Sequence, residues 1–259
     1  VTVDGTIICH GNFSAGTGSN VGGTGSVSVY GTSSGSGTIL GASTGCNYCS
    51  YSASGSSGQD ITGIQIGGSD TYINLSCPIE PYYTYSYSQS IYTADELSAA
   101  GLQAGSEISA LIYEYTSSSL AYSNSWTVYI GHTSSNYFSN TLASQWKDIN
   151  TMSLFASGAT PSVVSTGTNY DVTVSGVPFL WDGSSNIVIA TDENASSYGY
   201  SSDDFIGRAT GTLNRTLTYY SDYTNPDPAN MIQNATAKKT AVPNLKVVAT
   251  NIACTPMPF

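Results

Sequence analysis

Apolar residues along this chain recur mostly at every second position, in short runs broken by Gly, Pro, Asn and Asp. That period places alternate side chains on opposite faces of an extended backbone, so each run is a predicted strand. The clearest are Ile61–Ile66, Ile108–Tyr115, Trp126–Ile130, Tyr170–Ser175, Asn186–Thr191, Arg215–Tyr220 and Asn244–Ala249. In one of them Trp126, Val128 and Ile130 share a face against Thr127 and Tyr129. Turn signals stand at Asp182-Gly183, Asn225-Pro226-Asp227-Pro228 and Pro243. The one helical signal is a capping box, Thr93 to Glu96 ahead of Leu97, which predicts one or two turns ending near Gly101. Many short strands with almost no helix predict an all-β fold: a β-sandwich of jelly-roll or Ig-like kind, with an extended N-terminal strand.

Residues 1–58 differ from the rest. Gly, Ser and Thr dominate, with brief apolar alternation at Val27, Val29 and Ile39, which predicts an arm of short strands ahead of a β-sandwich domain over 59–259. At the start, Val1, Val3, Gly5, Ile7 and Cys9 share one face of an extended strand. A terminal strand of this pattern either opens its own sheet or leaves to complete another subunit's sheet, which makes residues 1–9 a candidate donor strand.

Only 9% of residues are charged, against about 25% in an ordinary soluble domain. Ser, Thr, Gly, Asn and Tyr make up the difference, a composition typical of extracellular β proteins. The net charge is −11, and all six basic residues lie from Lys147 onward. A nucleic-acid partner needs a basic stripe to displace counterions, and none is present. No apolar run approaches the ~20 residues of a spanning helix, which argues against membrane insertion. No leader-like stretch opens the sequence, so the numbering is read as that of a mature chain or a fragment of one.

Five cysteines, Cys9, Cys46, Cys49, Cys77 and Cys254, include one CxxC. A zinc site would want a second such pair, and a redox motif would want a strand-to-helix context, so structural disulfides in an oxidising compartment are the expectation. Sequons at Asn12, Asn74, Asn194, Asn214 and Asn234 are compatible with glycosylation.

In order, Pro81-Tyr-Tyr-Thr-Tyr-Ser-Tyr-Ser-Gln89, Ile91-Tyr92, Asp95-Glu96-Leu97, Trp126–Thr133, Phe138, Pro178-Phe179, Trp181-Asp-Gly183, Asn186–Asn194, Asn214–Tyr220 and Pro243-Asn-Leu245 resemble a recurrent module of secreted surface proteins of Bacteroidota-type bacteria. The resemblance runs over about residues 81–247 and implies a β-sandwich attached to adhesins, secreted enzymes or surface fibres, with no catalytic signature. The strand Val1–Cys9 resembles the donor strands of bacterial pilus subunits.

Chemistry-bearing motifs are few. Gly31-Thr-Ser33-Ser-Gly35 has the form GxSxG but lies in a Gly/Ser tract without the strand–turn–helix that gives the motif meaning. His10 and His132 are the only histidines. Asp95/Glu96, Asp192/Glu193 and Asp203/Asp204 are adjacent pairs, which on a strand point to opposite faces. Asp182, Asp192, Asp222 and Asp227 lie in turn-like segments, where they serve Asx-turns or offer oxygens to calcium, the one metal the sequence leaves open. Tyr83, Tyr85 and Tyr87 alternate with Thr84, Ser86 and Ser88, predicting a half-exposed strand whose aromatic face is either core or a platform for sugars or a fibre interface.

Together these features predict a non-catalytic protein of the bacterial cell surface. The first expectation is a structural subunit of a pilus-like filament, a homopolymer of identical subunits formed by donating Val1, Val3, Gly5 and Ile7. The alternative is a monomeric adhesin or carbohydrate-binding module that contacts glycans through its tyrosines.

Overall fold

The computed structural model describes residues 60–68, 76–200 and 204–250 continuously, together with the short strands named next from the first fifty residues and Thr255–Pro256. The chain divides into two compact units, Val1–Gln59 with Ile252–Phe259, and Asp60–Asn251. The last residues thus group with the N-terminal segment, not with the domain expected over 59–259.

In the first unit β1 (Thr6–Cys9) pairs in parallel with β4 (Ser26–Val29). β2 (Phe13–Ser14) pairs in the same sense with β5 (Ser33–Ser34), and β3 (Asn20–Val21) with β6 (Thr38–Ile39). β7 (Cys49–Ser50) pairs antiparallel with Thr255–Pro256. Thr6 lies opposite Ser26 and Phe13 opposite Ser33, each 20 residues on, while Asn20 lies opposite Thr38, 18 residues on. A chain that returns to register every twenty residues or so, with three strands per return, is winding as a parallel β-solenoid. Ile7 of the candidate donor strand is paired with Val27 of its own chain. Val1, Val3 and Gly5 lie outside the described residues, as do Asn12 and Asn74.

The second unit carries β8 (Asp60–Ile66), β9 (Tyr85–Tyr92), the helix α1 (Ala94–Ala99), β10 (Glu107–Tyr115), β11 (Trp126–Thr133), β12 (Ser153–Ala159), β13 (Ser162–Ser165), β14 (Tyr170–Leu180), β15 (Asn186–Asn194), β16 (Gly207–Ala209), β17 (Thr216–Ser221), β18 (Ala237–Lys239), β19 (Ala241–Pro243) and β20 (Leu245–Thr250). A five-stranded sheet runs β13-β14-β10-β20-β8 and a six-stranded sheet β12-β11-β15-β9-β17-β18, with β16 and β19 forming a separate ribbon. All seven strands expected from alternation are present, and the fold is all-β with several sheets. The capping box also forms: the Glu96 N–H donates to Thr93 Oγ1 and the Thr93 N–H to Glu96 Oε2.

One core lies between the two sheets. Leu111, Tyr113, Val172, Val174, Leu245 and Val247 of the first meet Tyr92, Trp126, Val128, Ile130, Phe155, Ile187 and Ile189 of the second. A second cluster covers the other face of the six-stranded sheet, where Tyr87, Ile91, Val188, Ala190 and Leu217 pack under Phe138, Trp146, Ile149 and Ala235 from two long connections. Gln89 ties one of these down. Its Nε2 donates to the Lys147 carbonyl at 2.7 Å, and its Oε1 accepts from the Lys147 N–H at 2.7 Å.

This double burial corrects the half-exposed reading of β9. Seven of its eight residues are buried. The Ser86, Ser88 and Ser90 hydroxyls face inward and find polar partners there: Ser86 donates to Glu193 Oε2, Ser88 to the Pro78 carbonyl, and Ser90 bonds Thr216.

The expected disulfides are also corrected: none forms among the described residues. Cys77 is a free, buried thiol that donates to Ser88 Oγ at 3.4 Å and lies 3.1 Å from Ser90 Oγ. Burial pushes that thiol up to about 11, so it packs as a small polar core group. Cys9 and Cys49 lie in β1 and β7, and Cys46 and Cys254 lie outside the described residues.

Candidate functional site: a tyrosine ledge at one end of the sandwich

β9, β15 and β17 end level with one another, because Tyr85 is the register partner of both Asn194 and Ser221. Residues just beyond those ends therefore converge: Pro81–Thr84 before β9, Ala195–Tyr200 after β15, and Tyr219–Asp222 at the end of β17. Backbone bonds fix them. Ala195 N–H donates to the Thr84 carbonyl at 2.9 Å and Gly199 N–H to the Pro81 carbonyl at 2.7 Å. A Cβ at residue 199 would stand 2.9 Å from that carbonyl oxygen, closer than packing permits, so the approach requires glycine. Asp222 Oδ1 accepts from the Thr84 N–H at 3.2 Å.

These segments carry a cluster of tyrosines. The Tyr82 ring meets Tyr83 edge-on at 5.4 Å and Tyr198 at 6.4 Å, and Tyr83 lies 4.4 Å from Tyr220 at 33°. Tyr82 is 45% exposed, Tyr198 60% and Tyr200 73%. Tyr83 and Tyr220 form a half-buried base, and the more exposed rings rise from it. The row expected from Tyr83, Tyr85 and Tyr87 is divided by the structure. Tyr83 sits in the turn before the strand, half-buried Tyr85 begins it, and Tyr87 is buried against Trp146 at 5.0 Å. Tyr82, Tyr198 and Tyr220 were not singled out from sequence; they lie in three separate stretches, and only the strand register brings them together.

The charges beneath the ledge are acidic. Burial pushes the Glu80 carboxyl up, against a hydrogen bond from Ser76 and the Tyr82 N–H, with Asp204 adding to the rise. The Glu80 N–H also donates to Ser86 Oγ, whose hydroxyl donates to Glu193. Glu193 is fully buried, and desolvation, only partly offset by the Ser123 and Ser86 hydroxyls, pushes it up to about 8. Asp192, on the opposite face of β15, is pushed up to about 6 by burial while Asn194 Nδ2 donates to it. This surface offers aromatic faces and neutral hydroxyls over protonated carboxyls.

The other candidates serve local structure. His132 Nε2 accepts from the Asp182 N–H at 3.2 Å and its ring stacks on Phe179 at 4.9 Å. Asp182 Oδ1 accepts from the Ser184 and Ser185 N–H groups, Asp227 Oδ1 from the Ala229 N–H, and Asp222 holds Thr84. Each turn aspartate offered to calcium thus has a local partner, and no three His, Cys, Asp or Glu side chains gather in a metal-holding group among the described residues. Glu96 joins Arg208 and Arg215 in a mostly buried trio. Burial pushes that carboxyl up, but hydrogen bonds from Arg215 and the Thr93 N–H and both arginine charges overcome this and hold it at about 2. Of the described sequons, Asn234 is exposed with Oδ1 accepting from the Ala143 N–H, while Asn214 and Asn194 are half-buried. His10, Gly31, Gly35 and Asp203 lie outside the described residues.

No family model matches this chain, and no curated protein matches it. Among solved structures it is similar to the cysteine protease and lectin-like domains of Cwp84, a surface layer associated protein of Clostridium difficile. The TM-score is 0.36 and the identity 8%, over 65% of this chain and 32% of that one. The match spans about a third of that protein's chain, and a likeness this loose carries no argument here.

Proposed function

We propose that this chain is a cell-surface adhesin or carbohydrate-binding module of an extracellular bacterial protein, binding neutral glycans on its tyrosine ledge without catalysis. The observation that carries the reading is the convergence of Tyr82, Tyr83, Tyr198 and Tyr220 on one surface, with Tyr82 and Tyr198 well exposed. Aromatic faces bury the C–H faces of sugar rings, while phenol and backbone groups bond the hydroxyls. The acidic surroundings disfavour anionic ligands, and a surface with few charges has little competing electrostatic attraction.

This reading takes precedence over the strand-donating filament subunit because the described part of the opening strand is paired within its own chain. For the fold, we favour the jelly roll over the Ig-like sandwich. The order β8-β20-β10-β14 in one sheet and β9-β15-β11-β12 in the other, with β8 to β11 alternating between sheets, supports it.

A glycan array probed with the protein and with Tyr82→Ala tests the proposal. Binding to neutral glycans that drops about tenfold in the variant, at unchanged melting temperature, is the expected result; one ring contact is worth about 0.5–1.5 kcal/mol. An array blank for the unmodified protein would remove the reading.

A further inference from the structure

At the far end of the same strands lies a cleft of about 480 Å³, within the ~300–1,000 Å³ range of small-molecule sites. β9 runs eight residues from Tyr85 at the ledge to Tyr92 beside this cleft, so about 25 Å separates the two places. The walls are Thr93–Asp95 at the start of α1, Thr133–Asn136 after β11, Ser184–Asn186 before β15, and Leu213.

Asn186 organises them. Its Oδ1 accepts from the Ala94 N–H at 2.8 Å, and its Nδ2 donates to the Ser135 carbonyl at 3.1 Å and to Asn136 Oδ1 at 2.7 Å. One carboxamide thus ties the helix start, the β11 turn and the β15 entry, and has its bonding capacity committed to doing so. Asp182 does the same for the remaining wall through the Ser184 and Ser185 N–H groups, and Thr133 Oγ1 accepts from the Ser135 N–H. The cleft is held open by bonds within its walls.

Those bonds leave three groups uncommitted among the described residues: the Asp95 carboxylate, the Ser134 hydroxyl and the Asn136 carboxamide nitrogen. Leu213, 42% exposed, supplies an apolar wall. No lysine or arginine lines the cleft, and Asp95 is its one formal charge. A carboxylate accepts two hydroxyl protons side by side, an amide N–H₂ donates to a ring or hydroxyl oxygen, and Leu213 covers a C–H face. We infer that this cleft is a second, separate binding site for a neutral polyhydroxylated ligand, one or two sugar rings in size. Asp95, Ser134 and Asn136 contact it, and Asn186 is a positioning residue. The same sandwich is then bivalent along its strand axis, able to hold two sugars of one chain or of two neighbouring chains.

The test is an amide-resolved NMR titration of the whole chain with the methyl glycosides of glucose, galactose, mannose and N-acetylglucosamine, with glycerol as the control polyol. Saturable shifts at 93–95, 133–136 and 184–186 are expected with at least one glycoside and not with glycerol. Asp95→Ala should weaken them at least tenfold and Ser134→Ala severalfold, whereas Tyr82→Ala should leave them unchanged. Cleft amides that stay still with every glycoside, or that shift equally in Asp95→Ala, would overturn the inference. Shifts confined to 81–84, 195–200 and 219–222 would overturn it too while upholding the ledge. Cleft shifts with a silent ledge would uphold it and count against the ledge.

Discussion

At the scale of single residues, Glu193 carries the strongest consequence. Its carboxyl is fully buried and protonated up to about pH 8, whereas in the unfolded chain it ionises near 4.5. Between those values the folded state holds a proton that the unfolded state has lost, so stability falls as pH rises, by about 1.4 kcal/mol per unit. The full contribution is present below about 4.5 and is lost once pH passes 8. Glu193→Gln, which keeps the shape of the neutral acid, should melt higher than the parent at pH 8 and close to it at pH 4.5. Calorimetry across that range checks this, and a variant melting lower at pH 8 would show that the ionised group is the stable one. The sequence gave no means of seeing this site. Asp192 and Glu193 read as an adjacent pair on opposite faces, which they are. That both faces of β15 would be buried depends on connections 50 residues away in the chain. Cys77 shows the same limit, since a cysteine count favours disulfides while the serines that accommodate a lone thiol lie 11 and 13 residues on.

Among elements, the central strand β9 shows where alternation is informative and where it misleads. Tyr-Ser-Tyr-Ser-Gln-Ser looks half-exposed because serine is usually a surface residue. In the sandwich the serine hydroxyls are buried with partners, and Tyr87 and Gln89 point into a second cluster that only long connections can create. The seven expected strands and the capped helix were legible because each is specified by its own residues. The short strands β12, β13, β16, β18 and β19 carry weak local signals and are set by their neighbours. Gln89→Ala should release the 138–152 connection, leaving both Lys147 backbone groups without their partner, at a cost of about 2 kcal/mol. Denaturant melts measure that cost, and a loss below about 0.5 kcal/mol would mean the connection is held by Trp146 and Phe138 alone.

For the whole molecule, the N-terminal unit is the part least visible from composition. Its twenty-residue return does have a trace in the sequence: Gly5-Thr6 and Gly25-Ser26 are twenty apart, as are Gly11 and Gly31. In so repetitive a tract that spacing passes for chance until the parallel register gives it meaning. Charge behaves more simply. Three of the six basic residues, Arg208, Arg215 and Lys246, are spent in pairs with Glu96 and Asp171, which leaves the surface still less cationic than the composition implies. The molecule thus presents aromatic, hydroxyl and amide groups, a surface suited to uncharged partners.

The most direct test of that account is a calorimetric titration of the strongest neutral glycan from the array into the protein and into the Tyr82→Ala, Tyr198→Ala double variant. Removing both exposed rings should weaken binding by about 30-fold or more while the melting temperature holds, since each contributes about 1 kcal/mol through stacking and neither is buried in the core. Equal affinity in the two proteins would contradict the ledge as the binding surface.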